Sequence, residues 1–515
     1  MSKAHDKKRR RERFYRNLSV TATVTGLAAL GVVLHVFTPF NHDEAYFMEG
    51  AGRLLDGGRF GADIIDINPP HVWWISVAPV WLARQIGVRT DIAATIFTAL
   101  MAVISLVACD HLIEASSPVG LTRRALLPIA ATLVLFVPAY DFGQREHWAL
   151  LLTLPYVVAR SRRIAGATIS CTAGFAVGFA ACLGFCIKPY FLLVPISLEI
   201  WLLARTQRAF VWVSPETIAM VITGFAYFAL ILIYAPSYLA HEVPNAQLGY
   251  WAFQSTPTDV VCTGLLLLVP AAALAVVGYS TRCKGERIPA LAQGFAVAGT
   301  GYFAAAVLQL KPWSYHFLPS VVFFDLSVVI LLLIGTPREG MKAIRFGAFA
   351  VLIIMGVFPS AAEAVRSFEG SGTTARVDQL AAVFRANPGP NRTVSGFITS
   401  PRDVFPAVIA SEMKWAVPFC CDYLIAAAVR ADEAPAAKRT AIWAAGLDQA
   451  KLAVSAAQIQ QPGVIVIDAG NNKLGFNDQK FSYVDWLEAH TSFASILAHY
   501  REINPIGPFR VFVRM

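Results

Sequence analysis

Apolar residues gather in eleven runs along the chain, at 19–38, 91–113, 125–138, 148–160, 166–186, 189–204, 216–235, 259–279, 288–309, 318–335 and 344–360. Each is near or above the length that crosses about 30 Å of hydrocarbon as a helix. The pattern predicts an α-helical polytopic membrane protein with about eleven transmembrane helices. Between the first two runs the pattern changes. Residues 45–55 set Tyr46, Phe47, Ala51, Leu54 and Leu55 on one helical face and stop at Gly57-Gly58. Residues 72–86 carry Trp73, Trp74 and Trp81, whose indoles suit a half-wet interface. The first outer loop, 39–90, is therefore expected to hold two helices lying on the membrane. Beyond residue 360 no run is long enough to span. There 392–399, 463–468 and 509–513 read as strands and 405–413 and 484–500 as helices, which predicts a small α/β domain over 361–515, with 367–374 as a linker.

Composition agrees with the spans: 56% hydrophobic residues and a mean hydropathy of +0.54 exceed what a soluble globule hides in its core. The formal charge of +9 follows from topology. Basic residues of short loops stay on the cytoplasmic side, so residues 1–18, with Lys7-Lys8-Arg9-Arg10-Arg11, form a cytoplasmic N-terminus ahead of a retained signal anchor. Alternating spans then place Arg123-Arg124, Arg160 to Arg163, Arg205 to Arg208, Arg282 to Arg287 and Arg338 to Arg345 inside as well. This registration requires that 72–86 does not cross. No basic domain interleaved with aromatics is present, which removes the basis for a nucleic-acid reading.

The outer face collects different chemistry. Asp43, Glu44, Asp63, Asp66 and Asn68 lie in the first loop, Asp141 and Gln144-Arg145-Glu146-His147 in the second, and Lys188-Pro189-Tyr190 in the third. His241-Glu242 follow in the fourth, and Gln309-Leu310-Lys311-Pro312-Trp313-Ser314-Tyr315-His316 in the fifth. Carboxylates at a bilayer surface cost desolvation energy, which points to function. No His-Glu-x-x-His or paired-Cys spacing supports a zinc site, while Asp43 and Glu44 can hold Mg²⁺ or Mn²⁺ through oxygen; the metal is left unassigned. Of the eight cysteines, Cys109, Cys171, Cys182, Cys186, Cys262 and Cys283 read as packing residues. The adjacent pair Cys420-Cys421 is not expected to bond, because the ring so formed is strained.

The acidic pair after the first span, the amphipathic first loop closing in Asn68-Pro69-Pro70 and Trp73-Trp74, and the large apolar body with an outer tail domain resemble a GT-C glycosyltransferase. The chain is similar in this respect to the protein O-mannosyltransferase and lipid A aminoarabinose transferase families. The tracts Gln144-Arg145-Glu146-His147 and Trp313-Ser314-Tyr315-His316 resemble those of a bacterial subgroup. The resemblance covers roughly 15–360 and implies that 19–360 is a catalytic membrane domain. It further implies a sugar passed at the periplasmic face of the bacterial inner membrane from a polyprenyl phosphate carrier to a lipid, polysaccharide or protein acceptor. It places the family's catalytic aspartate at Asp43, with Glu44 beside it to orient the acceptor or share a metal. Developing charge on the departing phosphate calls for fixed cations. Arg145, Lys188 and Lys311, with His316, are the residues placed for it, and Asp66, Asn68, His147 and Tyr315 are placed for substrate.

Each residue also has a purely structural reading. Asp43 stands where an N-cap for 45–55 would stand, Asp66 and Asn68 can form the turn into Pro69, and Arg145 can pair locally with Glu146. Lys188 and Lys311 can snorkel, Tyr315 and His316 can belong to an interfacial belt, and His241 and Glu242 read as a solvated loop. A secondary transporter and a non-catalytic envelope-assembly scaffold are the rival functions. The polar residues gather in loops on one face, not at a midplane between repeated halves, which ranks the transferase first.

Overall fold

The computed structural model describes residues 21–113, 118–208, 212–282, 286–334, 337, 340–369 and 372–515. The basic run 7–11, Cys283 and Arg338 lie outside the described residues, as do two positions of the linker. Two compact units emerge: one from the described residues of 1–37, 95–226 and 255–365, the other from 38–94, 227–254 and 366–515. The first loop, which the sequence assigns to the membrane domain, clusters with the C-terminal residues instead.

The helices run in chain order as α1 (Thr21–Val36), α2 (His42–Leu55), α3 (Pro70–Ile86), α4 (Thr90–Leu112), α5 (Pro118–Phe136), α6 (Arg145–Ile164), α7 (Cys171–Phe185), α8 (Leu193–Thr206), α9 (Pro215–Tyr234), α10 (Val243–Gly249), α11 (Pro257–Ser280), α12 (Ala290–Val307), α13 (Ser314–Leu333) and α14 (Lys342–Phe368). All eleven apolar runs fall on helices. Among the described residues, seven helices are long and apolar enough to cross a membrane: α4, α8 with its one-turn lead from Pro189, α9, α11, α12, α13 and α14. Thr21–Val36, Ala125–Phe136 and Cys171–Phe185 are shorter apolar helices. The remaining run, 148–160, lies on α6, which has apolar residues in its middle and charges at both ends, Arg145 and Glu146 at one and Arg160, Arg162 and Arg163 at the other. Small residues let the helices of this unit close up; Ser320 on α13 donates to the Gly299 carbonyl of α12 at 2.9 Å.

In the second unit follow α15 (Thr373–Ala386), β1 (Thr393–Phe397), α16 (Val404–Ser411), β2 (Lys414–Trp415), α17 (Tyr423–Val429), α18 (Ala436–Gln460), β3 (Val464–Asp468), α19 (Tyr483–His490), α20 (Phe493–Leu497), β4 (Tyr500–Ile506) and β5 (Phe509–Arg514). The sheet order is β2-β1-β3-β5-β4, with β2, β1 and β3 parallel and β3, β5 and β4 antiparallel. This is the expected α/β domain, with differences. The helix read over 484–500 breaks at Thr491, whose hydroxyl takes the Leu487 carbonyl and accepts from Phe493 N, and the chain from Tyr500 pairs as β4. The helices α15, α17 and α18 were not read from the sequence.

One apolar face of α2 and of α3 packs against protein. Trp73 is fully buried, edge-on to Tyr46 and Phe47 at 4.9 Å, and Tyr46 meets Phe405 of α16 at the same distance. Gly50 makes this possible, because a Cβ there would fall 2.2 Å from the Trp73 ring. Glu49 pairs with Arg53 on α2 and accepts from Trp415 N, while Arg53 donates to the Trp415 and Val417 carbonyls. An aromatic and ionic dock thus holds the inner faces of α2 and α3, while Trp81, alone of the three indoles, stays exposed together with Ile86. One correction concerns Cys420 and Cys421, which are joined as a disulfide in the buried loop between β2 and α17.

Candidate functional site

The first group of residues belongs to the second unit. Asn41, not Asp43, caps α2: its Oδ1 accepts from Asp43 N at 3.0 Å and Glu44 N at 3.4 Å. Asp43 is thereby released from capping and stands in the first helical turn, where the positive end of the helix dipole favours a carboxylate. It keeps 18% of its side chain exposed and lies 3.6 Å from His42 Nε2. Glu44 is buried, and burial, reinforced by Asp91, raises its carboxyl well above the usual range. Two neighbouring carboxyls are thus given different environments, one wet and one dry, as acid–base sites require.

Asp66 accepts from Asn68 N at 2.7 Å and Asn68 Nδ2 at 2.6 Å, which forms the turn into Pro69, and its other oxygen accepts from Tyr46 OH at 3.1 Å. It also faces Glu242, a residue the sequence reading set aside as solvated. Glu242 is buried, its Oε2 has no hydrogen-bond partner, and burial together with Asp66 pushes its pKa up to about 7 from 4.5. Tyr423 lies within electrostatic reach of both carboxyls, and Tyr46 within reach of Asp66. The sequence offers only Pro244, in the first turn of α10 two residues on, which marks a helix and not the burial of Glu242.

Because the folded state holds the Glu242 proton to higher pH than the unfolded state does, its stability is fullest below about 4.5 and declines as pH rises towards about 7. Glu242→Gln is expected to flatten that window, so its advantage over wild type grows across it. Thermal midpoints of both proteins against pH check this, and parallel curves would refute it.

The second group belongs to the first unit. Gly143, at φ 86°, turns the chain into α6, whose N-cap Gln144 accepts from Arg145 N at 3.0 Å. Arg145, Glu146 and His147 are all buried. Glu146 is the hub: Lys188 Nζ donates to its Oε1, Arg145 Nε lies 3.6 Å from Oε2, and His316 Nε2 lies 3.9 Å from Oε1. Lys188 also donates to Gln309 Oε1 at 2.8 Å. Lys188, Lys311 and Arg145, from three separate stretches of chain, all act electrostatically on His316. Lys188 and Lys311 are buried, which is not how snorkelling side chains sit. Lys311 covers the Trp313 ring at 4.5 Å, and Tyr315 packs edge-on to His316 at 4.4 Å with Lys188 5.8 Å above its own ring.

His147 is not part of this group. Its Nδ1 accepts from Gly143 N at 3.1 Å and its Nε2 meets the Val134 carbonyl at 2.8 Å, so both nitrogens are occupied by backbone. Glu146 and Gln309 stand in the tracts singled out from the sequence yet were not chosen; their role shows only once α6, the loop after α7 and the end of α12 are brought together. Among the described residues no three His, Cys, Asp or Glu side chains converge.

No family model and no curated protein matches the chain. Solved structures do. ArnT from Cupriavidus metallidurans bound to undecaprenyl phosphate aligns over 96% of this chain and 98% of its own, at 12% identity and a TM-score of 0.62. The apo state of the same protein aligns over the same shares at 13% and 0.61. Arabinofuranosyltransferase AftD from Mycobacteria aligns over 95% of this chain but 40% of its own, at 13% and 0.44. Over nearly its whole length, the chain has the fold of ArnT.

Proposed function

We propose that this chain is a membrane glycosyltransferase that moves a sugar from a polyprenyl phosphate carrier to an acceptor hydroxyl or amine by a single inverting displacement. The observation that carries the reading is the gathering of buried Arg145, Lys188 and His316 around Glu146, with buried Lys311 over the neighbouring Trp313 ring, a charge arrangement suited to a phosphate ester. The ArnT fold, known with undecaprenyl phosphate bound, supports it.

In this reading Asp43 takes the proton of the acceptor as its oxygen or nitrogen bonds to the anomeric carbon. The bond from that carbon to the phosphate oxygen breaks, and the electron pair leaves with the phosphate. Arg145 and Lys311 meet the charge that develops there. Lys188, bonded to Glu146 and Gln309, holds the cluster in place. Glu44 orients the acceptor, and Asp66, Asn68 and Tyr315 contact substrate. The N-terminus lies in the cytoplasm and residues 361–515 in the periplasm of the bacterial inner membrane, where that domain covers the site or selects the acceptor.

Full-length protein in lipid, supplied with polyprenyl phosphate carrying a radiolabelled sugar and an envelope extract, should move label from the carrier into an acceptor fraction. Uptake of solute into vesicles without any carrier, with no label transferred, would overturn the proposal in favour of transport.

A further inference from the structure

The helices that bring the cationic cluster together have a second end. α6 carries Arg145 and Glu146 at its start, α12 leads into Gln309 and Lys311 at its finish, and α13 carries His316 at its start. At 1.5 Å per residue the 20 residues of α6 put its far end about 30 Å away, one hydrocarbon thickness. A cavity of about 650 Å³ lies there, lined by the end of α6, the chain leading into α12 and Ile334 just past α13.

Its lining is amphipathic. Ile113, Val158, Leu291 and Ile334 form apolar wall, and Arg162 and Arg287 supply two guanidiniums. Guanidinium is the side chain best shaped for a phosphate, which it can grip through two parallel N–H donors. Basic pockets between membrane helices take anionic headgroups, and the volume is that of a small-ligand site. We propose that this cavity seats the phosphate headgroup of an anionic phospholipid from the leaflet opposite the cationic cluster. The shared chemistry is a phosphate anion, which a soluble phosphate could also offer; the apolar wall and the position at the ends of membrane helices favour the lipid. The inference does not depend on the chain being a transferase.

Native mass spectrometry of the full chain, released from membranes containing phosphatidylglycerol and phosphatidylcholine, tests it. Wild type should retain phosphatidylglycerol in preference. Arg162→Gln/Arg287→Gln should hold it about 30-fold more weakly, roughly fivefold for each arginine. Ala167→Trp, which narrows the cavity without touching a charge, should lower retention in a protein whose thermal midpoint matches wild type. Equal retention by wild type and the arginine variant, or no preference for the anionic lipid, would overturn the proposal. Inorganic phosphate that raises the thermal midpoint of delipidated wild type and displaces the lipid would overturn it too, by showing a soluble-anion site.

Discussion

Asp43→Asn is expected to lower turnover by roughly 10²- to 10⁴-fold, the range that a positioned general base contributes. The reason is local. The carboxamide matches the carboxylate in shape but takes no proton at neutral pH. Stability should hardly change, because Asn41 supplies the cap of α2 and Asp43 is 18% exposed, so neither a helix end nor a packed core is disturbed. The KM for the carrier should stay near the wild-type value, since Arg145 and Lys311 are untouched. A variant that folds, binds carrier and does not turn over should also accumulate it. Mass spectrometry of the purified Asp43→Asn protein should therefore find polyprenyl phosphate sugar enriched over wild type, and the mass names the sugar. A folded Asp43→Asn protein with full turnover sinks the assignment of the base.

What the sequence could tell about this fold was set by whether a signal is local. Hydropathy located every run that became a membrane-unit helix, because lipid asks only for a continuous apolar stretch. It could not say what α2 and α3 pack against. The face of Tyr46 and Phe47 reads the same whether its partner is a bilayer or Phe405, some 360 residues on, and here the ring contacts decide for protein. In the C-terminal domain β1, β3 and β5 were legible as buried apolar runs. The strand β4, with exposed Arg501 and Glu502, carried no such signal. The site divides in the same way. Asp43, Arg145, Lys188, Lys311 and His316 stood out because charge at the edge of an apolar run is conspicuous. Glu242 did not, since the groups that act on it, Asp66 and Tyr423, come from distant segments of the chain. His147 stood out for the same reason as Arg145, yet two backbone groups claim its ring.

Lys188→Met is expected to destabilise the protein by about 3–5 kcal/mol, the cost of leaving one member of a buried ion pair without its partner. Glu146 is fully buried, Lys188 is the cation hydrogen-bonded to its Oε1, and Arg145 at 3.6 Å and His316 at 3.9 Å are too distant to take that place. Gln309 Oε1 would lose its donor in the same stroke. The double variant Lys188→Met/Glu146→Gln removes both charges at nearly constant volume, and it should recover most of the loss, because a neutral buried pair carries no uncompensated charge. Thermal or denaturant unfolding of the wild type, the two single variants and the double variant closes the cycle. If the double variant is as unstable as Lys188→Met, the pairing contributes nothing and the hub reading of Glu146 fails. Donor kinetics on the same proteins separate holding the cluster from gripping the phosphate. A double variant that recovers stability and keeps the carrier KM near wild type leaves Lys188 a positioning residue and puts the phosphate on Arg145 and Lys311. A stable double variant with a KM raised about tenfold or more returns Lys188 to direct contact with the donor, since a charge-assisted hydrogen bond to phosphate contributes on the order of 1.5–3 kcal/mol.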